Sequence, residues 1–109
     1  MNREFVRTRT FERHWANIGL NDNDLLELER ILLENPKAGD VIPGLSGGRK
    51  LRFALEGRGK SGGVRIVYVD VVMREQIYLL AAYPKSVQTD LTPEQKQTLN
   101  KLIVALKEG

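Results

Sequence analysis

The sequence predicts a small α+β domain with elements in the order β-α-α-β-β-β-α. Three observations predict it. Apolar residues recur at helical spacing between residues 21 and 35, and the spacing changes to every second residue from Arg49. A capped helical pattern then returns at Thr92. These periods of 3.6 and 2 separate amphipathic helices from half-buried strands. With 109 residues the chain has the length of one domain with a single modest core.

Each element has a local reason. Residues 3–8 read as a short strand and residues 10–18 as a first helix. Asn21 or Asp22 can cap a second helix, whose Leu25, Leu28 and Leu32 share one face. That helix must stop near Asn35, because Pro36 disfavours helical backbone in the residue before it. "KAGDVIPGLSGG" (37–48) reads as a loop punctuated by glycine and proline. Leu51, Phe53 and Leu55 then fall on one face of a strand, and Lys50, Arg52 and Ala54 on the other, which gives it a basic outer face. "GGVRIVYVDVV" is longer and more apolar, as suits a central strand, and "EQIYLLAAY" follows after a turn around Met73–Glu75. The three strands form an antiparallel meander. Thr92 at the N-cap, Pro93 at the first helical position and Gln95 two further on start a last helix with an apolar stripe of Leu99, Leu102, Ile103 and Leu106.

Composition narrows the function. There are no cysteines, so neither disulfides nor cysteine-rich zinc sites are expected. The start, "MNREFVRTRTFERHW", is charged throughout and lacks the apolar core of a signal peptide. No stretch approaches the roughly 18 apolar residues of a membrane span. A cytoplasmic protein with no membrane partner is expected. Net charge is +3, but the charges are segregated. Residues 22–34 hold five acids against Arg30, a balance of −4, whereas residues 49–65 hold six bases against Glu56, a balance of +5. A basic block of that kind favours a polyanionic partner.

The centre of that block, "EGRGKSGGVRIVYV", contains a Gly59-Lys60-Ser61 that invites comparison with a nucleotide-binding P-loop. The comparison fails on spacing and context. The glycine needed five residues before Gly59 is Ala54, and a strand rather than a helix follows. A glycine-rich hairpin turn explains the glycines but not the bases. Such a hairpin gathers Lys50, Arg52, Arg58, Lys60 and Arg65 in space. Crowded cations cost free energy unless an anion such as phosphate, or an acidic partner, offsets them.

At these residues the chain resembles the RelE/ParE toxin superfamily, in particular its HigB-like branch of type II toxin–antitoxin modules. The resemblance runs from about Phe11 to the last helix. Its most specific parts are the loop Asn35-Pro36-Lys37-Ala38-Gly39-Asp40, the strand start Gly62-Gly63-Val64-Arg65, and Tyr83-Pro84-Lys85 followed by Asp90-Leu91-Thr92. The resemblance implies a RelE-like fold: a twisted antiparallel sheet of about four strands, two N-terminal helices and one C-terminal helix. It implies ribosome-dependent cleavage of messenger RNA in the ribosomal A site, that is, an endoribonuclease that inhibits translation. Arg52, Arg65 and Lys85 match basic positions of the family's site and are the catalytic candidates; Arg58 and Lys60 match its basic loop and, with Lys50 on the basic face of the preceding strand, are the candidates for RNA phosphate contact. Tyr83 matches a tyrosine that assists in some relatives, although here it precedes Lys85 instead of following it. The implied partners are a cognate antitoxin of HigA-like helix-turn-helix type, and operator DNA only through that antitoxin. No cofactor or metal is expected.

The chemistry asked of these residues is attack by the substrate's 2′-hydroxyl on the adjacent phosphate with release of a 5′-hydroxyl. The hydroxyl must lose a proton, the phosphorus must be relieved of charge, and the leaving oxygen must gain a proton. The only histidine, His14, lies on the first predicted helix, far in sequence from the basic strands, and reads as a packing or surface residue. A lysine, at about pKa 10.4, becomes useful near neutrality when neighbouring cations lower that value, so Lys85 and Lys60 are the candidates to hold or release a proton. Arginines suit bidentate phosphate contact. Tyr68, Tyr78, Trp15 and Phe53 read as core or sheet-face packing. Two other functions stay open: a non-nuclease toxin that poisons DNA gyrase, as ParE members do, and an inactive antitoxin-binding regulatory subunit.

Overall fold

The computed structural model describes residues 2–54 and 63–109. Strand β1 (Glu4–Arg7) leads into helix α1 (Arg9–Ile18). The Thr8 hydroxyl starts α1 by accepting the Phe11 N–H, and Gly19 ends it in the left-handed conformation. Helix α2 (Asp22–Glu34) opens on a reciprocal capping box. The Asn21 side chain accepts the Asp24 N–H while the Asp24 carboxylate accepts the Asn21 N–H. It stops at Asn35, whose backbone is extended ahead of Pro36. Strands β2 (Asp40–Val41), β3 (Arg49–Phe53), β4 (Val64–Val71) and β5 (Gln76–Pro84) follow, with one turn of 3-10 helix, Val72–Arg74, between the last two. Helix α3 (Pro93–Glu108) begins with the Thr92–Gln95 capping box and a proline in its first turn.

The strand order is β1-β5-β4-β3-β2. The α+β class, the three helices and the β3-β4-β5 meander are as the sequence predicts. The sheet departs from that reading in two details. It has five strands rather than about four, and it is mixed rather than wholly antiparallel, because β1 runs parallel to β5. The extra strand, β2, is two residues long, too short to show a period of two. The direction of β1 is set by its partner 72 residues away, Glu4 lying opposite Gln76, and leaves no local mark.

Helices cover both faces. On one, Phe11 and Trp15 of α1 and Leu25, Leu28 and Leu32 of α2 pack on Phe53, Ile66, Ile77 and Leu79 of the sheet. Burial of each such side chain contributes about 1.5–3 kcal/mol. Trp15 stacks between Phe11 and Phe53, with ring centroids 5.3 and 6.2 Å away. On the other face, Ile103 of α3 packs with Val67, Val69, Val71 and Leu80, and Leu99 and Leu106 flank it. Leu102, predicted within the apolar stripe, is 38% exposed. It lies about 100° around the helix from Ile103, off the line that Leu99, Ile103 and Leu106 form.

Strand β5 contains an extra residue. Val67 lies opposite Ala81 and Tyr68 opposite Leu79, so Leu80 has no partner in β4. Leu80 and Ala81 both join the α3-side core, whereas Leu79 and Ala82 face α1 and α2. The bulge coincides with the end of β1. There the Thr8 hydroxyl donates to the Leu79 and Leu80 carbonyls, and the His14 Nδ1 accepts the Ala82 N–H at 3.2 Å. These side chains occupy backbone groups that an ending strand leaves bare. His14 is therefore half-buried and committed to the sheet.

A second fixture ties the 36–40 loop to β4. The Tyr68 hydroxyl, fully buried, donates to the Pro36 carbonyl at 2.8 Å and accepts the Gly39 N–H at 2.9 Å. Arg49 donates to the Gly39 carbonyl at 2.8 Å. Gly39 is required by space, since a Cβ there would lie 2.8 Å from the Lys50 carbonyl oxygen and 2.9 Å from the Tyr68 ring.

Two predictions follow from these contacts. Tyr68→Phe keeps the ring but strands a buried carbonyl and a buried N–H, and should cost about 1–3 kcal/mol. The check is a lower urea midpoint at an unchanged slope. His14 gives a pH dependence. Burial first, and the Arg13 charge second, hold its pKa below the ordinary 6.5, so the fold favours the neutral ring that accepts from Ala82. Its contribution is complete above pH 6.5 and is lost as pH falls through the lowered folded value. Melting temperature should therefore drop between about pH 7.5 and about pH 5.5, and His14→Gln should flatten that drop. An equal drop in both proteins would refute the assignment.

Candidate active site

The cationic residues converge on the α3 side of the sheet. Arg52 on β3 lies directly opposite Arg65 on β4, and Arg65 directly opposite Tyr83 on β5. Directly opposed residues share a face, so the three form a row across adjacent strands about 4.8 Å apart. Lys50 sits two residues before Arg52 on the same side. Lys85 follows the end of β5, where its N–H donates to the Gly63 carbonyl at 3.2 Å. Arg58 and Lys60 lie outside the described residues.

The bulge decides this arrangement. Without Leu80 as an extra residue, Tyr83 would alternate onto the face of Leu79, among the α1 and α2 side chains. With it, Tyr83 stands beside Arg65. Its ring is buried, and its hydroxyl donates to the Thr89 carbonyl at 3.4 Å. Burial first, and the nearby Asp90 charge second, push the phenol above its ordinary value, with Arg65 opposing. Tyr83 is thus a neutral hydrogen-bonding group near pH 7.

The basic block of the sequence is divided by the fold. Arg49 pairs with Tyr68 across the strands and reaches the Gly39 carbonyl, away from Arg52 and Arg65. Lys50 donates to an Asp90 carboxylate oxygen at 2.6 Å. Arg52 is exposed, and among the described residues nothing pairs with its guanidinium. Two arginines directly opposite each other are destabilising by themselves, and an anion on this face would offset that cost.

Among the described residues of the site, Asp90 is one that sequence reasoning gave no role. Its carboxyl is held below the ordinary aspartate value, first by the Lys50 hydrogen bond and then by the Lys50 charge, with Arg65 and Lys96 adding to it. A signal was present: Asp90 stands two residues before the N-cap Thr92, where a helix start fixes the backbone. What its side chain meets depends on β3, 40 residues away.

A concavity of about 550 Å³ lies elsewhere, between α1, the end of β5 and the first turns of α3. It includes Arg13, His14 and Tyr83 but none of Arg52, Arg65 and Lys85. Size alone would favour that groove. The opposed arginines mark the open sheet face instead, and an open face suits an extended polymer better than a small molecule.

Fold and site together define a small α+β protein with helices on both faces of a mixed sheet and a cationic row at the strand ends beside α3. A family model described as the RelE toxin of the RelE/RelB toxin–antitoxin system matches residues 3–108, and the chain belongs to that family. Among solved structures it is similar to a double arginine-to-alanine mutant of E. coli toxin RelE in the free state. The identity is 17%, the match covers 81% of this chain and 88% of that chain, and the TM-score is 0.57. It is also similar to a chain of the intact E. coli RelBE toxin–antitoxin complex, at 17% identity, covering 75% of this chain and 94% of that chain with a TM-score of 0.53. These likenesses are of fold.

Gly63 supports the row from behind. Its φ is +67°, and a Cβ would lie 2.5 Å from the Phe53 carbonyl oxygen. Gly63→Ala should cost about 1–3 kcal/mol and loosen the β3–β4 end that carries Arg52 and Arg65. Amide exchange of Val64 and Phe53 should rise relative to Val69, whereas uniform protection would contradict this placement.

Proposed function

We propose that this RelE-family toxin is a ribosome-dependent mRNA endoribonuclease of the HigB-like branch, held in check by a helix-turn-helix antitoxin. The observation that carries the reading is the row Arg52–Arg65–Tyr83, with two cations directly opposed. In this reading Arg65 and Arg52 bind the scissile phosphate and offset the charge that grows on its oxygens when the 2′-hydroxyl attacks. Lys85, two residues beyond Tyr83, takes the proton-handling role, and Tyr83 supplies a neutral hydroxyl near the leaving group. His14 is given no proton-transfer role in this reading, its Nδ1 being taken up by the Ala82 N–H of β5. The complex-forming habit of the related E. coli RelE supports an antitoxin partner for this chain, which would cover the cationic face or block docking. Messenger RNA in the ribosomal A site is the proposed substrate, and operator DNA is reached only through the antitoxin.

Expression of the chain should give breaks inside codons when message is mapped by primer extension. Intact message with gyrase-dependent DNA breaks would transfer the protein to the gyrase-poisoning class. Arg65→Ala should fold normally and lose growth inhibition, because one charge-stabilising donor is worth about 10²–10³ in rate. Arg52→Ala and Lys85→Ala should lower cleavage more than ribosome association. Equal losses in both would make them docking residues.

A further inference from the structure

We propose that Asp90 is a built-in anion of the candidate site, its carboxylate holding Lys50 in the place a substrate phosphate takes until RNA displaces it. The proposal rests on the reading above that this face receives RNA phosphates.

The carboxylate is delivered there by the fold. It belongs to the segment between β5 and α3, which is pinned on both sides. Before it, the Thr89 carbonyl accepts the Tyr83 hydroxyl. The Gln88 amide donates to the Asp90 carbonyl at 2.9 Å and to the Gln95 side chain at 3.0 Å, and the Thr92–Gln95 capping box follows. From that position Asp90 meets Lys50 Nζ at 2.6 Å, and Arg65 and Lys96 are close enough to act on it electrostatically. One carboxylate thus faces three cations from β3, β4 and α3.

The pair is also placed to open. Asp90 is 76% exposed and Lys50 28%. An ion pair at the surface is weak and screened by salt, so a phosphodiester that the neighbouring arginines also hold can replace the carboxylate. Its depressed pKa makes Asp90 a poor proton acceptor. Charge occupation is therefore the role that fits it, and proton abstraction is not.

The test is binding of a single-stranded RNA carrying 2′-O-methyl sugars, which cannot be cleaved, followed by fluorescence anisotropy over about 50–300 mM salt. In the wild-type protein the counterion that Lys50 displaces from the RNA is offset by one that the released Asp90 carboxylate takes up. Asp90→Asn removes that offset. The slope of log K against log salt should steepen by about 0.7, which is about fivefold tighter binding at about 0.1 M salt for lines that meet near 1 M. Glu94→Gln, which removes an acid of the first turn of α3 that makes no pair with Lys50, should leave the slope unchanged. In a Lys50→Met background, Asp90→Asn should no longer steepen it. Asp90→Ser serves as the second variant if Asp90→Asn folds poorly. Unchanged or weaker binding by the folded Asp90 variants, with wild-type binding still lost in Arg65→Ala, would overturn the proposal and leave the RNA reading standing. Absence of salt-dependent RNA binding by wild type and variants alike would overturn both.

Discussion

The single inserted residue of β5 sets the phase of everything that follows it. Side chains alternate across a strand, so one extra position moves every later side chain to the opposite face. Leu80 is that position. It lets β5 give Ile77 and Leu79 to the α1/α2 core and still deliver Tyr83 to the α3 side, opposite Arg65. The bulge also coincides with the end of β1, where Thr8 and His14 take up backbone groups that the ending strand leaves bare. The position of the site depends on this one local irregularity.

The cationic face carries an electrostatic cost that the fold distributes. Arg49 is drawn off to the Gly39 carbonyl, which at the same time helps seat the Asn35–Asp40 loop against Tyr68. Lys50 is neutralised by Asp90. Arg3 and Asp70 form a two-contact pair at the far end of the sheet, at 2.7 and 3.2 Å, and Arg30 is held by Glu27 and Glu34 on the exposed side of α2. The opposed pair Arg52 and Arg65 lies at one end of the sheet. A like-charged cross-strand pair is tolerated only where the surrounding structure is stable enough to hold it, and here β4, which carries Arg65, is buried along nearly its whole length.

Helix α3 belongs both to the core and to the site. Ile103 anchors its middle over β4, while its first turn is reached through the segment that carries Asp90. The contacts of Tyr83 with Thr89 and of Lys50 with Asp90 link that segment to two strands. A ligand that displaced Asp90 would act on the start of α3 as well as on Lys50, because the same few residues hold both.

Much of this molecule was written locally. The caps at Asn21 and Thr92, the stop before Pro36, and the alternation of Leu51 and Phe53 against Lys50 and Arg52 all rest on interactions within a few residues, so the helices, the meander and the basic face of β3 were legible in the amino-acid order. So was the family, through residues near the loop, the β4 start and the β5 end. The tertiary structure alone decided what depends on distant partners. It set the parallel seat of β1 on β5, the pairing of two-residue β2, the bulge at Leu80 and the diversion of Arg49 to Gly39. It also brought Asp90 into contact with Lys50. A period of two names the faces of a strand but not the point where a neighbour's register forces an extra residue, and a carboxylate in a loop does not reveal which cation, 40 residues away, it will meet.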